Sequence, residues 1–216
     1  MNKLSNDEIA KAGLSDWRKL AQALHARYVI PDYLTVTRFL TDVAVVAESR
    51  NHHPDIKINF GIVDISLCTH EDGRWITNLD IELARIISDI ALEHKLEAKP
   101  SQVSQLELAL DTAHEEDISS FWAVILTDDQ DTKVRDTIFD PYERVPNVWF
   151  QTTNEHEVPK QRWHFDLWCA PEVAERKIRH AMEVGGVLVD DSNAPSYIVL
   201  ADLEGNKVCI CTSQER

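Results

Sequence analysis

The strongest constraint on the fold is a restart of the apolar pattern near the middle of the chain. Before Lys99-Pro100-Ser101, long stretches of helical spacing flank two short alternating runs. After it, strand-like and helix-like spacings recur twice in the same order. Leu106, Leu108 and Leu110 alternate with polar neighbours, and Ile118 to Leu126 has helical character. Val148 to Phe150 and then Trp163 to Cys169 return to strand character. Glu172 to Val184 is helical and closes on Gly185-Gly186, as helix ends often do. Strands are expected at Val187–Val189, Tyr197–Leu200 and Val208–Cys211. Aligning Gln105–Asp111 with Arg162–Trp168 gives strand, helix and two or three strands, stated twice.

The first half has its own order. Leu4, Ile9, Leu14, Trp17, Leu20 and Leu24 fit a helix over residues 5–24, with Ser5 or Asn6 as its cap. Tyr28 to Ile30 is a short strand. A second helix opens at Pro31-Asp32 and ends near Asn51, since Pro54 disfavours helical geometry at His53. Ile56, Ile58 and Phe60, then Ile62, Val63, Ile65 and Leu67, form two strands around Gly61. A third helix runs from Thr77 to about Glu97. The expected division is therefore residues 1–98 and 101–216.

Composition removes some functions. With 216 residues and a formal charge of −15, the chain has no basic stripe for phosphates or anionic membranes. No apolar run is long enough to span a bilayer. The N-terminus lacks the apolar core of a signal peptide. Cys68, Cys169, Cys209 and Cys211 form no C-x-x-C pair. Free thiols in a reducing cytoplasm are expected, with no nucleic-acid and no membrane partner.

The chemistry concentrates in His52, His53 and His70. Imidazole both gives and takes a proton near neutral pH, so three of them point to acid–base chemistry or to a metal. His52 and His53 are adjacent at a helix end, and His70 ends a strand, where loops build sites on a rigid sheet. Glu48 lies one helical turn before His52. No ligand spacing such as H-x-x-x-H accompanies the cluster, which weakens the metal reading. The plain alternative is three unrelated polar residues at element ends.

Glu48-Ser-Arg-Asn-His52-His53-Pro54-Asp55, then Phe60, Val63, Leu67, Thr69-His70, Thr77, Asp80 and Leu83-Ala84 resemble pterin-4a-carbinolamine dehydratases over roughly residues 14 to 96. That resemblance implies a four-stranded antiparallel sheet with helices on one face. It implies dehydration of 4a-hydroxytetrahydropterin to the quinonoid dihydropterin, with no cofactor and no metal. It assigns His52, His53 and His70 jointly as proton donor, proton acceptor and ring-binding group. Glu48, Pro54 and Asp80 would hold the histidines or the pterin, and Trp75 would stack on the ring or cover the core. Asn51 stands where members often carry a charge, and the loop Glu71–Ile76 is one residue longer than the usual turn.

In the second half, Pro146–Gln151, Arg162–Asp166 and Asp202–Asn206 resemble a glyoxalase-like domain of the vicinal oxygen chelate type over residues 101 to 213. That resemblance implies two βαβββ modules, so the whole chain is expected to be α+β. Its ligand positions would fall on Glu107, Gln151, His164 and Cys209, with Asp166 on the same strand face as His164. This mixed set suits no common hard metal, and Cys209 and Cys211 also fit a core role. Two other functions stay open: a metal-dependent lyase or dioxygenase acting through the second half, and a non-catalytic oligomerisation protein. A small open sheet with a free edge favours a homo-oligomer, dimer or tetramer.

Overall fold

The computed structural model describes residues 2–71, 73–103, 105, 107–155, 157, 165–168 and 171–211. The chain is α+β and divides into two compact units, Met1–Gln105 and Leu106–Arg216.

The first unit begins with α1 (Asn6–Lys11), closed by a Ser5/Glu8 capping box. β1 (Trp17–Leu20) and β2 (Ala23–Val29) follow as an antiparallel hairpin. The long helix expected over residues 5–24 is thus corrected to one short helix and a hairpin. Ala21, at the turn, has φ +44, a conformation that usually marks itself with glycine or asparagine. Without that signal, Trp17, Leu20 and Leu24 mimic helical spacing. Trp17 instead sits in the core and donates its indole N–H to Ser88 at 3.0 Å.

α2 (Tyr33–Arg50) starts where Asp32 accepts the Thr35 N–H at 2.8 Å. β3 (Asp55–Asn59) and β4 (Ile62–Leu67) form a second hairpin through Gly61. α3 (Asn78–Glu93) ends four residues before Glu97, which pairs with β2 as part of β5 (Glu97–Ala98). The sheet order is β1-β2-β4-β3, all antiparallel, with β5 added beside β2. Leu24, Ala26 and Tyr28 face Phe39, Val43, Leu83 and Ile87 of the helices in one core. β3 is a sheet edge, and Phe60 beside it is 90% exposed.

The second unit contains the repeat. β6 (Glu107–Thr112), α4 (Glu115–Thr127), β7 (Lys133–Val134), β8 (Thr137–Ile138) and β9 (Asn147–Thr152) form the first module. β10 (Phe165–Trp168), α5 (Pro171–Glu183), β11 (Val187–Asp190), β12 (Tyr197–Ala201) and β13 (Lys207–Cys211) form the second. The sheet orders are β6-β9-β8-β7 and β10-β13-β12-β11, the same path twice. In each, the first strand lies parallel to the fourth.

The turns before the fourth strands repeat too. Buried Asp140 accepts the Tyr142 and Arg144 N–H groups at 2.9 and 2.7 Å. Buried Asp202 accepts those of Glu204 and Asn206, both at 2.9 Å. A buried carboxylate that takes backbone donors two and four residues on fixes such a turn without needing sequence identity around it.

Candidate functional site

The site is built where α2, the end of β4 and the start of α3 meet. α2 ends because Asn51 turns left-handed (φ +47), a conformation asparagine tolerates. The His52 N–H then bonds back to the Ala47 carbonyl at 3.2 Å, which sets the direction of its side chain. His52 is buried, and its Nε2 lies 2.7 Å from Asp80 Oδ1.

Asp80 is 0% exposed and holds three elements at once. Its Oδ2 accepts the Thr77 N–H at 2.7 Å, closing the capping box of α3. The same oxygen accepts from Thr69 Oγ1 at 2.9 Å, tying down the segment after β4. Its other oxygen faces His52. A carboxylate only accepts, so the His52 Nε2–H donates and Nδ1 is the atom left for chemistry.

His70 lies two residues beyond Cys68, with Nε2 3.4 Å from Cys68 Sγ. Thr69, between them, exchanges both backbone bonds with Trp75 at 2.7 and 3.0 Å. Partial burial is the main cause that lowers the His70 pKa, followed by the Arg74 guanidinium; His52 acts in the same direction, while Asp55 and Asp80 oppose it. The balance of these effects favours the neutral ring of His70, and His52, Asp80, Asp55 and Arg74 all lie within its electrostatic reach. Asp55, Arg74 and Cys68 carried no role in the sequence reading.

The other expected residues are placed less centrally. His53 and Glu48 pair at 3.3 Å on an exposed surface. Pro54 is half-buried between His53 and β3. The Trp75 indole donates to the Glu71 carbonyl at 3.1 Å and has the Lys3 ammonium 4.3 Å from its ring centre. A Cβ on Gly73 would stand 2.3 Å from that ring, so the loop backbone packs directly against the indole.

In the second unit, Glu107 pairs with Asn147, and Gln151 with Asp111. Glu107 and Gln151 are thus four residues apart along the ladder, about 13 Å, and do not converge. Glu107 accepts from the Asn147 side chain at 3.3 Å. His164 lies outside the described residues. Asp166 stands opposite Cys209 in the β10–β13 pairing. Cys209 is half-buried, and the core-facing residues of β13 are Val208 and Ile210, which corrects a core role for this thiol. Among the described residues, no three His, Cys, Asp or Glu side chains gather as a metal-ligand group, and no helix is long and apolar enough to cross a membrane.

The first unit is thus an α+β unit with a buried His–Asp pair near a third histidine, and sequence comparison gives its family. Residues 2–90 match the family of pterin 4 alpha carbinolamine dehydratases, and residues 107–211 match a glyoxalase-like domain. A provisionally named pterin-4-alpha-carbinolamine dehydratase of Sulfurisphaera tokodaii is 34% identical over 92 residues, 42% of this chain and 98% of that one. A like-named protein of Nostoc punctiforme is 37% identical over 90 residues, 42% and 95% of the two chains. The crystal structure of a transcriptional coactivator/pterin dehydratase from Brucella melitensis is similar at 33% identity with a TM-score of 0.39, covering 42% of this chain and 99% of that one. The chain belongs to the pterin-4a-carbinolamine dehydratase family through its first unit, and its second unit carries a glyoxalase-like domain.

Proposed function

We propose that the first unit dehydrates a 4a-hydroxytetrahydropterin to the quinonoid dihydropterin by histidine acid–base catalysis. The observation that carries this reading is the buried His52–Asp80 pair at 2.7 Å with neutral His70 in its field. Family membership supports a lyase-type role for the first unit.

The reaction breaks the C4a–O bond and removes a proton from a ring nitrogen. The nitrogen electron pair forms the C=N bond, and the hydroxyl leaves as water. His52 supplies the proton at oxygen from Nδ1, with its Nε2–H held on the Asp80 carboxylate. His70, held neutral, takes the proton from nitrogen. Transfer from His70 back to His52 through solvent resets the site. Two groups poised for opposite transfers are the expected arrangement for such a step. Glu48, His53, Pro54 and Trp75 form the surrounding contacts to the pterin.

A stable dihydropterin tests the placement without turnover. Titrating it into the protein should shift the imidazole resonances of His52 and His70 together, in a saturable manner. Saturable binding that leaves both unchanged would reject the site.

The base must be neutral to act, so the acidic limb of kcat/KM should lie below the ordinary histidine value of 6.5, in the direction of the His70 shift. Arg74→Ala removes a positive neighbour that disfavours the charged ring. It should raise the His70 pKa and move that limb to higher pH. Asp55→Asn removes a negative neighbour and should move it lower. A pH–rate profile of the three proteins checks both signs.

A further inference from the structure

All three histidines of the site are held by the same atom. Nε2 of His52 meets Asp80, Nε2 of His53 meets Glu48, and Nε2 of His70 meets Cys68. Two of these partners are acidic residues with obvious reasons to be there. The third is a thiol, buried to 5% exposure, which neither the family match nor the proposed steps assign a task.

We infer that Cys68 is a positioning residue for His70: its sulfur accepts the Nε2–H of the ring, so that Nδ1 presents its lone pair to the ligand. The inference rests on the dehydratase reading of this site and specifies how its base is prepared. Which ring nitrogen carries the proton is decided by the hydrogen bond that the other makes.

The backbone makes the contact durable. Cys68 and His70 lie on the same side of an extended segment, as residues two apart do. Thr69 between them is pinned on three sides: its N–H and carbonyl bond to Trp75, and its hydroxyl bonds to buried Asp80. This anchoring fixes the backbone from which both side chains project, and it brings Sγ to 3.4 Å from Nε2.

The nature of the acceptor matters as much as its position. For His52 the acceptor is a carboxylate. A thiol sulfur that accepts the Nε2–H favours that tautomer and adds no charge. The charged groups facing His70 are Arg74 and His52 on one side of the balance and Asp55 and Asp80 on the other. A carboxylate at position 68 would tip that balance toward the imidazolium and remove the base. The two histidines thus use one geometric device with two different acceptors, which gives an acid and a base from the same side chain.

The test uses the full-length protein with Cys68→Ala, Cys68→Val and Cys68→Ser. Alanine and valine remove the acceptor, and valine keeps the buried volume should alanine fail to fold. Serine keeps an acceptor. Long-range proton–nitrogen correlation spectra of His70, taken above its titration, should show the Nε2–H tautomer in the unmodified protein and in Cys68→Ser. They should show a mixture of both tautomers in Cys68→Val and Cys68→Ala. Dehydration kcat should fall roughly tenfold in the two apolar variants, with KM within about twofold, and serine should restore most of the loss.

An unchanged His70 tautomer in Cys68→Val overturns the inference. So does an equal loss of kcat in valine and serine variants, which would mark a packing role. If the unmodified protein shows no dehydration at all, the dehydratase reading fails, and the spectra alone then decide whether Cys68 sets the His70 tautomer.

Discussion

Asp80→Asn should lower the dehydration rate by about 10²–10³-fold while leaving the protein folded, because it acts on the tautomer of His52. In the native site both Asp80 oxygens accept, one from His52 and one from Thr77 and Thr69. An asparagine keeps one acceptor. That oxygen is claimed by the Thr77 N–H, which can only donate, so the amide NH2 turns toward His52. His52 must then offer a lone pair at Nε2 and carry its proton on Nδ1. The ring can no longer cycle between acid and conjugate base. His52→Ala should cost a similar factor, and His52→Gln, which keeps an N–H for Asp80, should be as inactive but more stable than the alanine variant. Steady-state rates set beside melting curves separate these effects. An Asp80→Asn protein with native kcat would show that the pair has no part in proton transfer.

Asp80→Ala should be the most damaging single change to the stability of the first unit, at about 3–5 kcal/mol. The side chain is fully buried, and its loss leaves the Thr77 N–H, the Thr69 hydroxyl and the His52 ring without their acceptor. It also removes the capping box of α3, worth about 1 kcal/mol by itself. Chemical denaturation of Asp80→Ala, followed by a probe of the first unit, measures this directly. A loss below about 1 kcal/mol would mean that water replaces the carboxylate and that the site is less enclosed than the geometry indicates. The same residue thus serves fold and site, and its asparagine and alanine variants separate the two roles.

The parts of this structure that were legible in the sequence share a local cause. Asp32 and Thr77 announce helix starts because capping is a matter of three or four residues. The βαβββ repeat is legible because each element carries its own period. The histidines are legible through a compact motif, Glu48 to Pro54, reinforced by Thr69-His70. The β1–β2 hairpin was hidden because its turn places Ala21 at positive φ with no glycine to mark it.

What stayed hidden in the site depends on contacts between distant segments. Asp55 and Arg74 act on His70 only after β3 and the loop following β4 fold beside each other. Cys68 reads in the sequence only as a free thiol, and its contact with the His70 ring depends on how the two side chains are placed. The register of β6 against β9 had no local signal either. Parallel strands are joined by a helix and not by a turn that counts residues, so the four-residue offset between Glu107 and Gln151 emerges only from the pairing itself.

The most direct test of the central claim is the decay of 4a-hydroxytetrahydropterin by ultraviolet absorbance, comparing the unmodified protein with His52→Ala and His70→Ala after chelator treatment. Decay well above the spontaneous rate, retained after the chelator and lost in both variants, is the predicted result. Decay no faster than the spontaneous reaction, or acceleration that survives both substitutions, would contradict catalysis by this pair of histidines.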